Sequence, residues 1–284
     1  MTIALVGSPT VSTDGTDAAR TLGTGNLLVI FCTWEDSDQH PSGATVGGTS
    51  ASGLTGAHYT TGEVGVKIFY FPSTVSGSKT ISVTWNVADL SRGWVALEFS
   101  GVATTSPLEV QSALGGTSAT TSPTTTNANS TTTANSLLVG VIKNYIGSTT
   151  IPNSSPSTWN EAYEGSSSPV YGTEVQYLVV SSAAVYQCAG TISSAKWAAA
   201  LATFKENPAG TIEQKNFRFR NDDNNEATAT WKANQDTNIT LAADTAARIR
   251  MLLNATGDPN SIGAQLEYRY KPSGGAFGSW TKVN

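Results

Sequence analysis

A side-chain period of two runs through almost the whole sequence and leaves little room for any architecture but sheets. VKIFYF (66–71), TISVTW (80–85), WVALEF (94–99), LLVGVI (137–142), EVQYLVV (174–180) and QLEYRYK (265–271) each read as a strand bounded by Gly, Pro, Ser or Asn. No stretch repeats apolar residues at i, i+3, i+4 and i+7 over the length of an amphipathic helix. The nearest case is DTAARIRMLLNA (244–255), where Ile249, Met251 and Leu253 share one strand face and Arg248, Arg250 and Leu252 the other. A Gly-Asp-Pro turn follows directly, so a strand is predicted there. The expected fold class is all-β.

Three blocks recur in the same order. SPTVSTDGTDAARTLGTGNLLVIF (8–31) parallels SPTTTNANSTTTANSLLVGV (122–141), GVKIFYFPST (65–74) parallels EVQYLVVSSA (174–183), and RGWVALEFS (92–100) parallels AKWAAALATFK (195–205). The order predicts a duplicated β-sandwich, with halves at 1–107 and 108–207. It also makes the Thr-rich tract 117–133 the opening strand of the second half rather than a linker, since Thr is a good strand residue. KENPAG (205–210) breaks the pattern. A third unit, 208–284, then shows about six short strands with turns at DDNN, GDPNS and PSGG, the spacing of a small sandwich.

Charged residues are 13% of the chain, about half the usual ~25%, and the net charge is −5. No clustered Lys and Arg offers a nucleic-acid surface, and nothing favours an anionic membrane. No apolar run reaches the ~20 residues that span a bilayer, and the N-terminus lacks the basic start and apolar core of a signal peptide, so synthesis in the cytoplasm is expected. Cys32 and Cys188 both lie in apolar strand-like runs and are expected to be buried thiols, not a disulfide.

Two acidic stretches invite a functional reading. In NFRFRNDDNNEATATW (216–231), Asp222, Asp223, Asn224 and Asn225 separate two alternating runs. The Gly and the later Glu of a calcium loop are missing at the required spacing, so a hairpin turn is predicted. In WEDSDQH (34–40), Glu35, Asp36, Asp38 and His40 could hold a divalent ion, or two of the carboxylates could flank a glycosidic bond, although a solvated loop explains the same letters. Neither His40 nor His58 has a second His at zinc-ligand spacing, and no Gly-x-Ser-x-Gly elbow, phosphate-cradling loop or dinucleotide fingerprint occurs. No cofactor is called for. Trp85, Trp94, Trp197 and Trp231 sit within strands and are expected in cores, whereas Trp34, Trp159 and Trp280 lie nearer turns and are the candidates for stacking on a ligand.

LEYRYKPSGGAFGSWTKV (266–283) resembles the paired middle strands of immunoglobulin-like and fibronectin type III modules. WVALEFSGVATTSPLEV with the following Thr-rich strand and NSLLVGV resembles β-sandwich domains of tailed-bacteriophage virion structural proteins. FRFRNDDNNEATATWKANQDTNIT with RIRMLLNATGDPNSIGAQLEYRYKPSGG is similar to a C-terminal β-domain of phage-like proteins. The resemblance covers about half the chain and carries no catalytic residue. It implies a non-enzymatic protein on the virion surface, in contact with a major capsid or tail protein or with further copies of itself. A capsid decoration protein is the first expectation. The alternative is a tail or fibre protein binding a host glycan through Trp34, Glu35, Asp36, Asp38, Trp159 or Trp280; a glycosidase using Glu35, Asp36 or Asp38 is a third.

Overall fold

The computed structural model describes residues 2–35, 40–59, 63–87, 92–125, 129–130, 135–145, 159–165, 172–208, 210–221, 228, 230–242, 248–256, 267–268, 274–279 and 281–282. It is all-β, with every strand pairing antiparallel and no helix among these residues. The chain divides into two units, Met1–Asn207 and Pro208–Asn284.

In chain order the first hundred residues form β1 (Ala4–Ser12), β2 (Ala18–Leu22), β3 (Leu27–Trp34), β4 (Pro41–Val46), β5 (Thr49–Ser50), β6 (Ser52–Gly53), β7 (Ala57–His58), β8 (Gly65–Phe71), β9 (Gly77–Trp85) and β10 (Arg92–Ser100). Pairing runs β1 with β10, β2 with β9, β3 with β8 and β4 with β5, which is one long hairpin folded about β5. Contacts of β10 with β3 and of β9 with β4 roll that hairpin into two sheets, β1-β10-β3-β8-β6 and β2-β9-β4-β5. Rolled hairpins of this kind are jelly rolls.

The following hundred residues form β11 (Leu108–Gly115), β12 (Asn129–Ser130), β13 (Ser136–Asn144), β14 (Asn160–Glu164), β15 (Thr173–Val180), β16 (Val185–Tyr186) and β17 (Trp197–Lys205). Their main sheet runs β11-β17-β13-β15-β14, so β11, β17, β13 and β15 take the places of β1, β10, β3 and β8. The three aligned sequence blocks end on these corresponding strands, but the correspondence is incomplete. Opposite the four-stranded outer sheet of the first half, the described residues of the second show the β12–β16 pair and bridges Thr120–Ala195 and Thr124–Ala189. The Thr-rich tract is therefore not the opening strand. That place belongs to β11, and the described part of the tract lies as a loosely bridged layer over the sheet. Register also separates the two tryptophans that sequence alignment superposes. Phe99 pairs with Leu27 and Phe204 with Leu137, which leaves Trp94 against Cys32 but Trp197 against Asn144.

The sheets stack in layers. Val29, Phe31, Val66, Ile68, Val95 and Leu97 of one central sheet face Leu137, Val139, Val141, Val175, Ala200 and Ala202 of the other. The outer face of the first central sheet packs Leu28, Ile30, Cys32 and Trp94 against Val46, Ile81 and Val83. The outer face of the second packs Leu138, Ile142 and Leu201 against Trp159, Tyr186, Cys188 and Ile192. A strand covered on both faces has no wet side, and this is why LLVIFC and LLVGVI are continuously apolar instead of alternating.

Edge strand β1 is bulged between Val6 and Thr10 and pinned there by Arg20, which donates to Val6 O (2.7 Å), Ser8 O (2.7 Å) and Thr10 Oγ1 (3.0 Å). Glu98, 1% exposed, holds Arg20 at 3.3 Å and accepts from Gly23 N–H and Asn26 Nδ2–H, both at 2.7 Å. The network leaves no partner wanting, as a buried ion pair requires.

The second unit contains β18 (Thr211–Arg220), β19 (Arg248–Thr256), β20 (Glu267–Tyr268) and β21 (Thr281–Lys282). The expected strand within 244–255 is β19, paired with β18. Among the described residues, buried hydrophobic side chains run from Ile3 to Phe204 and none belongs to this unit. Ile212, Ile249, Leu252, Leu253 and Phe277 are all exposed.

Candidate functional site

Trp34 closes β3 and is only 4% exposed. Its ring lies over Gly65 of β8, where any Cβ would come within 2.1 Å of the indole. Next to it, the Glu35 carboxylate pairs with the Lys143 ammonium, which is wholly buried between the central sheets and also donates to Asn144 O at 3.0 Å. Burial draws the Lys143 pKa down, and Glu35 opposes that shift. Thr33 and Thr173 share a hydrogen bond of 3.1 Å across the same junction. Glu35 thus neutralises a buried cation and ties the halves together. Beside it, Lys196 pairs with Glu63 and lies 5.7 Å and 5.8 Å from the rings of Tyr59 and Tyr145. Tyr145 is largely exposed, and its Tyr–Lys–Tyr patch has no motif by which sequence reading could find it.

Trp159 is 5% exposed in the cluster beneath the outer layer of the second half. Trp159 belongs to that cluster and Trp34 to none of the three, and both rings are buried, so neither presents an open face. Asp36, Asp38, Trp280, Asp222 and Asp223 lie outside the described residues. Around the last two, Arg220 bridges Trp231 and Asn221 N–H donates to Thr230 O at 2.9 Å, so the flanking runs pair antiparallel.

A buried polar group sits on β15. Glu174 is fully buried, and both its carboxyl oxygens lack a hydrogen-bond partner. Burial first, then the charges of Glu161 and Glu164, push its pKa up to about 9, so it is a neutral acid at pH 7. Two residues on, the Gln176 amide donates to Cys188 Sγ (3.0 Å) and Ala189 O (3.2 Å). Cys188 reaches the sheet because residue 140 is glycine; a Cβ there would stand 2.4 Å from the sulfur. Both thiols are free and buried, and burial raises their pKa values, that of Cys188 to about 12, which removes their nucleophilicity.

In the second unit, Arg218 and Arg250 stand directly opposite each other across β18 and β19. Their guanidinium carbons lie 4.4 Å and 5.4 Å from the centroid of the Trp231 ring. Like charges at facing positions repel; the indole between them offsets part of that by cation–π attraction. A cleft of ≈ 220 Å³ opens beside this stack, lined also by Asn216, Gln235, Met251 and Leu252. Asp236 anchors its rim, accepting from Asn216 Nδ2–H at 2.7 Å and Phe217 N–H at 2.8 Å.

No family model matches the chain, and neither does any curated protein or solved structure. Among the described residues no group of three or more His, Cys, Asp or Glu is placed to hold a metal ion, and no helix is long and apolar enough to cross a membrane.

Proposed function

We propose that this chain is a non-enzymatic structural protein on the outside of a tailed-phage particle, a decoration protein that binds and stabilises the shell. The reading begins from the sequence resemblance. The observation that carries it further is the contrast between the units. The first buries three apolar layers by itself, whereas the second, among its described residues, buries no hydrophobic side chain. The exposed apolar side chains of the second unit, Ile249, Leu252, Leu253 and Phe277 among them, offer a surface to dock with, and a ligand that binds only the assembled state stabilises that state by mass action. The polar groups of the first unit serve the same end. Glu35 with Lys143 and Arg20 with Glu98 are internal ties between strands.

The test uses shells stripped of accessory proteins. The purified chain is expected to pellet with them saturably and to raise the temperature at which the genome is released. Failure to bind removes the decoration reading. A second reading, a tail or fibre protein that binds a host-surface glycan, is favoured by the Arg218–Trp231–Arg250 cleft, which combines an aromatic ring, cations and amides.

A further inference from the structure

We infer that the apolar face of the β18–β19 ribbon docks on the same face of a second copy of this chain. The inference stands apart from the decoration reading, since a shell can be bound by a single chain or by a pair.

The two strands sort their side chains by polarity. In the antiparallel register Phe219 stands opposite Ile249, Phe217 opposite Met251, Gln214 opposite Leu253 and Ile212 opposite Ala255. Opposed residues share a side of the sheet, and so do residues two apart along a strand. One face therefore collects Ile212, Phe217, Phe219, Ile249, Met251 and Leu253, with the Phe217 and Phe219 rings edge to face at 5.8 Å. The other face collects Glu213, Arg218, Arg220, Arg248 and Arg250. The bulge between Gln214 and Asn216 adds Lys215 to that side, where it pairs with Glu213. All six charged residues of the two strands thus lie on one face and none on the other.

An antiparallel sheet with one wet side ordinarily packs its apolar face and wets its polar one. This ribbon does the reverse. Residues 230–236 run along the outer edge of β18, where Lys232 N–H donates to Phe219 O at 3.0 Å and Asp236 N–H to Phe217 O at 2.8 Å. From that edge Trp231 reaches over the charged face to Arg218 and Arg250, and Arg220 is only 3% exposed. On the apolar face Ile212 is 37%, Ile249 41% and Leu253 48% exposed.

Charge and size select the occupant. A face without a single charge gives an acidic, a basic or a nucleic-acid partner nothing to pair with. Two copies of the chain carry −5 each and repel where charged surfaces meet, whereas on this face like meets like with no charges opposed. Two ribbons related by a two-fold axis would stack as layers ~10 Å apart, an isologous contact that closes at two chains. β19 is nine residues long, so the face measures ~30 Å by ~10 Å, roughly 300 Å² in outline and more with its relief. Pairing two such faces buries on the order of 1,000 Å², the low end of specific interfaces, where association is weak and depends on concentration. The contact also supplies the apolar cover without which a two-stranded ribbon is marginal in water.

The experiment is sedimentation of the full chain from about 1 μM to about 1 mM, with methyl spectra of chain labelled at methionine. Only Met1 and Met251 would give signals. The mass is expected to rise from one chain to two and no further, and the Met251 methyl resonance to shift along the same curve. Leu253→Lys sets an ammonium on the face at an exposed position and should raise the midpoint concentration at least about tenfold. Leu252→Lys, on the other face, should leave it unchanged. A single chain at every concentration overturns the inference, as does growth beyond two chains. A dimer in which the Met251 resonance stays put, or one indifferent to Leu253→Lys, places the contact elsewhere and overturns it too. The concentration series on the unmodified chain decides the matter even if Leu253→Lys fails to fold. A monomer that still pellets with shells leaves the decoration reading standing.

Discussion

Replacing Glu174 by Gln should make the protein more stable in alkali and abolish much of its pH dependence. The acid stands between Ile142 and Glu164 in the ladder, fully buried, with neither oxygen hydrogen-bonded. In the folded chain its pKa is up at about 9, against an ordinary 4.5 when unfolded. Between those values the native state holds one proton more than the unfolded state. Stability contributed by this group is therefore fully present below the unfolded value and falls as pH rises towards the folded one, at up to ~1.4 kcal/mol per unit. From about pH 5 to about pH 8 the loss is at most ~4 kcal/mol, a large part of the ~5–15 kcal/mol that holds a typical domain together. Gln has nearly the same shape and does not ionise, so Glu174→Gln should match the parent within ~1 kcal/mol near pH 5 and exceed it by several near pH 8. Urea unfolding followed by tryptophan fluorescence reads the first unit, which holds five of the seven Trp. Taking the difference between the two proteins at each pH cancels the other titrating groups. Asp14, for instance, has a pKa lowered chiefly by hydrogen bonds from Thr16 and acts in more acid solution with the opposite sign. A difference that stays the same at both pH values would refute the reasoning, because it would mean that Glu174 is already ionised when folded.

Other consequences follow from single contacts. Glu98→Ala strands Arg20 and the Gly23 and Asn26 donors in the interior, and should cost ~3–5 kcal/mol by urea midpoint. Gly140→Ala drives a methyl into Cys188 and should cost ~1–3 kcal/mol, with Cys188→Gly recovering part of it in a double-mutant cycle; strictly additive effects would deny the contact. Cys32 and Cys188 should resist a thiol reagent in the folded protein and react together on unfolding, as an absorbance assay would show; labelling without unfolding would contradict their burial.

Most strands were legible from local letters. β8, β9, β10, β13 and β15 lie where alternation or apolar runs placed them, because β-branched and aromatic residues bounded by Gly, Pro and Asn suit a pleated surface wherever the chain goes next. The candidate site was less legible. In WEDSDQH Glu35 reads as a metal ligand, a catalytic acid or part of a solvated loop, and nothing in those letters points to Lys143, 108 residues away, with which it pairs. Trp34 and Trp159 lie near turns, which suggested exposure; both are covered by strands distant in sequence. Glu174 reads as an ordinary polar residue of an alternating strand. Burial in the folded second half, with the charges of Glu161 and Glu164 nearby, makes it a neutral acid.

By itself the sequence determined that the chain is all-β and roughly where its strands begin and end, since both follow from short-range sterics and side-chain period. Tertiary structure decided that two rolled sheets stack face to face, which is why the central strands are apolar on both sides. Through that stacking it also decided which charged groups are buried, paired or neutral. Burial and pairing depend on residues far apart in the chain, and a one-dimensional pattern does not carry that information.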